Sequence, residues 1–171
     1  MELIIEIREK DIGIDTKAEK KVKYNLRKAA RAVLFNKEKK IALLYVSKHT
    51  YHKLPGGGIK GDEDVMSGLK REVMEETGCT IKVKEPIGVS IEYKNQQEKI
   101  QVSYCYFADV VDDQQKPSFT KEETSQGFEL KWAYFEQAIK LLENDQPKTY
   151  MGKFIRKRDI ALLKKAKELM K

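Results

Sequence analysis

Residues Gly57 to Cys79 read G-G-I-K-G-D-E-D-V-M-S-G-L-K-R-E-V-M-E-E-T-G-C, a glycine-rich turn running into a helix. Glu72, Glu75 and Glu76 stand at i, i+3 and i+4 and so share one side of that helix. Two carboxylates ~4 Å apart repel by ~4 kcal/mol at an effective dielectric of ~20, which calls for a cation nearby. Oxygen-only donors at this density suit Mg²⁺ or Mn²⁺, not zinc. Met66, Leu69 and Val73 repeat at spacings of three and four and predict a buried stripe. The carboxylates flank this stripe, which puts them at the edge of the core, where a cleft can form. Gly78 suits a left-handed cap at the helix C-terminus. Asp62, Glu63 and Asp64 precede the helix, where its dipole favours negative charge. Gly56, Gly57 and Gly58 let the backbone turn tightly and approach a ligand.

Working outward, the upstream segment carries the runs Ala29–Phe35 and Ile41–Val46 about the turn Asn36–Lys40, which predicts a hairpin. Arg27 and Arg31 flank its first strand, as surface charge or as forked phosphate ligands. His49 and His52 form an H-x-x-H on an expected loop. Without cysteines this is weak as a zinc site, and contact with the cleft edge is the better functional alternative to a solvated loop. Leu3–Ile7 predicts a short strand, and Lys17–Lys23 a solvated connector.

Downstream, Thr80–Lys84, Ile87–Tyr93 and Ile100–Val110 predict strands, with Lys94–Lys99 a polar turn. Tyr93, Tyr104, Tyr106 and Phe107 are core residues or a surface for stacking a base. Asp112–Gln126 reads as a polar loop, Phe128–Phe135 as a strand and Glu136–Glu143 as a helix. From Lys148 to Lys171 nine Lys or Arg face two acids, a surplus equal to the +7 of the whole chain. Phe154, Ile155, Ile160, Leu163 and Met170 predict its packed helical stripe, with a basic face that is solvated or attracts polyphosphate or RNA.

The 171 residues suit one domain. No run reaches the ~20 apolar residues of a membrane span, and no signal-peptide pattern opens the chain. Cys79 and Cys105 are the two cysteines and form no C-x-x-C, so free thiols in a reduced, cytoplasmic setting are expected.

The signature resembles that of the Nudix (MutT-like) hydrolases, G-x5-E-x7-R-E-U-x-E-E-x-G-U with U apolar. Gly57, Glu63, Arg71, Glu72, Glu75, Glu76 and Gly78 fill its polar and glycine positions, and Val73 and Cys79 its apolar ones. Cys79 departs from the usual aliphatic residue. The resemblance implies an α/β fold: an α/β/α sandwich with a mixed β-sheet and a loop–helix–loop catalytic motif. It covers roughly residues 28–145, with 1–27 as an N-terminal strand extension and 148–171 as a basic C-terminal helix. The outer segments would decide substrate or homodimer formation.

It further implies Mg²⁺ or Mn²⁺ held by Glu72, Glu75 and Glu76, with Glu63 assisting, and Arg71 holding a helix carboxylate in place. Glu72 or Glu123 would take the proton from an attacking water. Glu123 enters because the family draws an extra glutamate from a loop in this region. Gly57 and Gly58 would offer backbone groups, and Arg27 and Arg31 phosphate contacts. The expected reaction is hydrolysis of a pyrophosphate bond in a nucleoside diphosphate linked to another moiety, such as an oxidised nucleoside triphosphate or an ADP-sugar. The alternatives are an RNA 5′-end pyrophosphohydrolase using the basic helix, and a nucleotide- or RNA-binding regulator without catalysis.

Overall fold

The computed structural model describes residues 1–15 and 21–171. The connector expected over Lys17–Lys23 lies mostly outside the described residues. The strands are β1 (Leu3–Ile7), β2 (Asn25–Phe35), β3 (Lys40–Val46), β4 (Tyr51–Lys53), β5 (Gly56–Gly58), β6 (Thr80–Lys94), β7 (Lys99–Asp112) and β8 (Phe128–Tyr134). The helices are α1 (Val65–Thr77), α2 (Lys121–Ser125), α3 (Phe135–Asn144) and α4 (Tyr150–Leu169). The sheet runs β1-β6-β7-β2-β3-β4, with β5 paired to β2 and β8 to β3. It is mixed: β1–β6 and β2–β7 are parallel, while β6–β7, β2–β5 and β3–β8 are antiparallel.

The period of two along β2 divides the core. Ala30, Ala32 and Leu34 face α1 and pack with Leu69 and Val73, the alanines leaving room for the helix. Val33 faces the opposite side, where α3 and α4 bring Ile139, Leu142, Leu162 and Leu163. Ile41 and Leu43 of β3 join this second cluster and Ala42 the first, so β3 is buried on both faces as expected. The result is the expected α/β/α sandwich. None of the described helices is long and apolar enough to cross a membrane.

Asp64 caps α1 by accepting the Ser67 N–H at 2.9 Å, and Gly78 closes it at φ +71°. Met66 is a correction: it is exposed, and Val65 packs in the stripe instead, four residues before Leu69. The runs Thr80–Lys84 and Ile87–Tyr93 are one strand whose register shifts on either side of Pro86. Proline donates no hydrogen bond, and an irregular ladder accommodates it. Lys94, expected in the turn, ends this strand fully buried. The loop over Asp112–Gln126 contains α2, capped by Thr120.

The α4 stripe also differs from expectation. Phe154, Ile155 and Leu163 are buried, but Met170 is exposed and Ile160 only partly buried. Leu162, Ala166 and the charged pair Arg158–Asp159 take the inner positions. The basic face of the helix is therefore not all solvated: Arg158 is buried against Glu92 of β6, and Asp159 against Arg158 and the Leu54 N–H.

Candidate active site

The cleft is made by α1, the glycine strand β5, the short helix α2 and the polar end of the sheet beneath α4. The cleft has a volume of about 590 Å³. Glu72, Glu75 and Glu76 border it, as do Gly57, Gly58, Arg27, Arg31 and Glu123.

The acids of α1 are divided between two side-chain cations. Arg71 donates through Nε and Nη2 to the two oxygens of Glu63, at 2.8 and 3.0 Å. Its Nη1 reaches Glu72 at 2.8 Å and Glu75 at 3.4 Å, and Nη2 also donates to the Gly58 carbonyl at 3.0 Å. One guanidinium thus fixes three carboxylates and the glycine strand. Hydrogen bonds from Arg71, and then from the Lys60 N–H, hold Glu63 down to about 2. Glu63 does not line the cleft, because both oxygens turn to Arg71. Glu76 is almost fully buried and accepts from Lys53 Nζ at 3.1 Å and from the Gly56 N–H at 2.7 Å. Burial pushes its carboxyl upward, while Lys53 and the Gly56 N–H pull it down. The cation demanded by the carboxylate density is therefore supplied in part by Arg71 and Lys53.

The donor set nonetheless fits a hard divalent cation. Among the described residues no three acidic, His or Cys side chains are gathered closely enough to hold a metal ion by themselves. Glu72, Glu75 and Glu76 are oxygen donors bordering one cleft, and Gly57 lies directly against the Glu72 carboxylate, in space that a Cβ would fill. Mg²⁺ keeps several waters and needs only one or two protein carboxylates, so these acids suit it as a donor set.

The opposite wall is built by register. Arg27, Gln101 and Glu92 are cross-strand neighbours on β2, β7 and β6, and Ala29, Ser103 and Ser90 form the next row. Arg27 Nη1 donates to Gln101 Oε1 at 2.5 Å, and Lys94 Nζ donates to the same oxygen at 3.1 Å. Arg31 donates through Nη1 to the Gly56 carbonyl. Arg158 donates to Asp159 at 2.7 Å and to Glu92 at 3.4 Å, while Asp159 also accepts the Leu54 N–H at 2.8 Å. Tyr51 and Phe128 are the aromatic rings of the lining, Phe128 lying under Lys53 Nζ at 5.1 Å.

Glu123 reaches the cleft but serves in the capping box of α2, accepting the Thr120 N–H at 2.9 Å. His52 is placed elsewhere: it pairs with Asp145 at 3.0 Å in a separate depression beside Trp132, and neither it nor His49 borders the cleft. The base-stacking alternative for Tyr93, Tyr104, Tyr106 and Phe107 is also corrected, since none lines the cleft. Tyr106 and Phe107 pack on opposite clusters, and Tyr93 lies under the Arg8 guanidinium. Lys53, Lys94, Gln101, Arg158, Tyr51 and Phe128 were missed. One sequence signal was available: Ser90 and Glu92, like Arg31, are polar residues inside runs expected to form core strands.

In this α/β/α sandwich one cleft is bordered by the carboxylates of α1 and by arginines, a lining that suits a polyanion together with a divalent cation. Comparison with known proteins agrees. The NUDIX domain family matches residues 25–153, most of the chain. The mouse (Mus musculus) diphosphoinositol polyphosphate phosphohydrolase 3-alpha is 27% identical over 124 residues, which cover 71% of this chain and 72% of that protein. Among solved structures, the MutT protein of Methanosarcina mazei Go1 superposes with a TM-score of 0.58 at 21% identity, covering 86% of this chain and 98% of the other. The Caenorhabditis elegans Ap4A hydrolase gives 0.57 at 18%, covering 86% and 100%. The chain belongs to the Nudix family. It is a Nudix hydrolase of the pyrophosphohydrolase type.

Proposed function

We propose that the chain hydrolyses, with Mg²⁺ or Mn²⁺, a pyrophosphate bond in a nucleoside diphosphate linked to a second moiety. The observation that carries this reading is the pairing of walls. Glu72, Glu75 and Glu76 line one side of a cleft whose other side presents Arg27 and Arg31. Carboxylates repel a pyrophosphate, so the acidic wall calls for a divalent cation, which when bound would neutralise phosphate charge and supply an acidified water. Glu72, Glu75 and Glu76 would hold it. Arg71 fixes Glu72 and Glu75, so their oxygens need little reorganisation. Glu72 receives the water proton, because it borders the cleft and lies against Gly57. Glu123 is the second candidate base, at the mouth formed by α2.

Residues 1–171 act as one unit in this reading, since β1 extends the sheet and α4 closes the cleft. Six of the nine cations from Lys148 onward are engaged within the chain: Arg156 and Lys157 with backbone carbonyls, Arg158, Lys164, Lys165 and Lys167 with acids. This favours small polyphosphates over RNA. The test is a panel of phosphoanhydrides incubated with Mg²⁺, with products resolved by anion exchange. Cleavage of at least one, lost in Glu72→Gln, is expected. No cleavage of any compound, by a folded and metal-loaded protein, would overturn the reading.

A further inference from the structure

We infer that the inner end of the cleft is a second anion seat, which holds a phosphate monoester of the substrate in addition to the pyrophosphate that is cut. This inference rests on the proposed hydrolysis only for the word substrate; the seat itself is a property of the folded chain.

The seat is built from Arg27, Arg31, Lys94 and Arg158, all of which line the cleft. Arg31 is 5% exposed, and Lys94 and Arg158 are fully buried. Two carboxylates, Glu92 and Asp159, pair directly with these four cations: Asp159 with Arg158, and Glu92 with both Arg158 and Lys94. The cluster therefore keeps a positive surplus out of water, which is costly without a counter-charge. Burial, with the Arg158 charge next among the lowering causes, brings Arg31 down to about 10 and Lys94 down to about 8. A bound anion would relieve both.

Geometry points the same way. Arg31 Nε and Arg158 Nη2 are buried and have no hydrogen-bond partner. A buried guanidinium N–H left unpaired is unusual, because each costs about 1–3 kcal/mol. Here two occur on residues that border one cavity. Gly58 adds room, since a Cβ there would lie 2.8 Å from Arg27 Nη2. A tetrahedral dianion offers several acceptors to converging guanidinium and ammonium donors, as a single carboxylate does not. Ser90 Oγ and Glu92 Oε1 are also unpartnered and buried, and Glu92 Oε1 faces Lys94 at 3.4 Å. The negative side of the cluster is thus turned toward Lys94 and Arg158.

The seat adjoins the acidic wall without duplicating it. Gly56 separates the two: its N–H donates to Glu76 and its carbonyl accepts from Arg31. The substrate class that fits both walls is compact and phosphate-dense, with a monoester near the anhydride.

Two measurements test this. In the first, the full-length protein is freed of metal with EDTA and titrated calorimetrically with inorganic phosphate. Binding is expected in the wild type and in Glu72→Gln. It should weaken roughly tenfold or more in Arg31→Gln and in Arg27→Gln, the second being the less buried site and the safer variant for folding. No binding to the wild type, or unchanged binding in both folded arginine variants, would overturn the seat. In the second, kcat/KM is compared for ADP-ribose and for ADP-ribose carrying a ribose phosphomonoester. A preference of roughly tenfold for the monoester is expected, collapsing in Arg27→Gln. A wild-type ratio near one would overturn the assignment to substrate. If neither compound is cut, the comparison is made on a phosphoanhydride that the panel shows to be cleaved and on its phosphomonoester, while the titration decides the seat independently of hydrolysis.

Discussion

The two walls of the cleft are made in opposite ways. The acidic wall comes from one helix, and a single guanidinium, Arg71, ties Glu63, Glu72, Glu75 and the Gly58 carbonyl together. The cationic wall is gathered from β2, β6, β7 and α4, with Arg27 and Arg158 more than a hundred residues apart. The acidic wall is partly open to water, at Glu72 and Glu75. The cationic wall is closed over charged groups that meet only when the sheet and α4 are both in place. A site written on one helix survives local changes, whereas a site written across the fold is part of its stability.

The sharpest way to break this contrast is at Glu72. Glu72→Gln should reduce turnover about a thousandfold, equivalent to about 4 kcal/mol, with an unchanged urea midpoint. Coincident loss of folding would mean the acidic wall is structural as well. Next comes Arg158→Met, which leaves Glu92 and Asp159 buried without their partner. It should cost about 3–5 kcal/mol of stability in chemical denaturation. A loss well under 1 kcal/mol would show that the cationic wall is not integral to the fold.

Arg71→Lys tests the acidic wall more gently. A lysine cannot reproduce the two-pronged hold on Glu63. Turnover should fall roughly 10–100-fold, as for loss of an outer-shell partner, with far-UV circular dichroism unchanged. Full activity would mean that the backbone alone orients the acids.

The smallest effect concerns pH. Burial lowers Lys94 to about 8 from an ordinary 10.5. Between those values the unfolded chain binds more protons than the folded one, so this residue's contribution to stability rises with pH. The groups around it are Glu92, Gln101, Arg27, Arg31, Arg158 and the ring of Phe154. Denaturation midpoints below and above that window should show wild type gaining on Lys94→Met as pH increases. Parallel profiles would mean that Lys94 titrates as an exposed lysine.

The same contrast explains what could be read from the chain. The signature from Gly57 to Cys79 was legible because its spacing is local, and caps and carboxylates of one helix are fixed by its pitch. The sandwich followed from the order of strands and helices and from the resemblance that this signature carries. Val65 displaced Met66 because the stripe advances by four at that turn. Arg158 and Lys94 were illegible individually, since charge reads as solvent-facing until a partner is known, and Glu92 and Gln101 are supplied by register. His52 resembled a ligand by its motif, yet Asp145, distant in sequence, claims its ring. Glu123 lay where an extra glutamate was sought, and its cap at α2 became visible only with the helix itself.

The three residues of β5 have a consequence for how selectivity is expressed. Gly56 is bonded to both Arg31 and Glu76, Gly57 abuts Glu72, and Gly58 serves Arg71 while making space for Arg27. No second layer insulates one bank from the other. An occupant that draws Arg31 inward therefore shifts the strand against which the acids are aligned, and the two events share a coupling energy. Discrimination between molecules should then appear in the maximal velocity and not solely in half-saturation, with good and poor fits distinguished after they are captured.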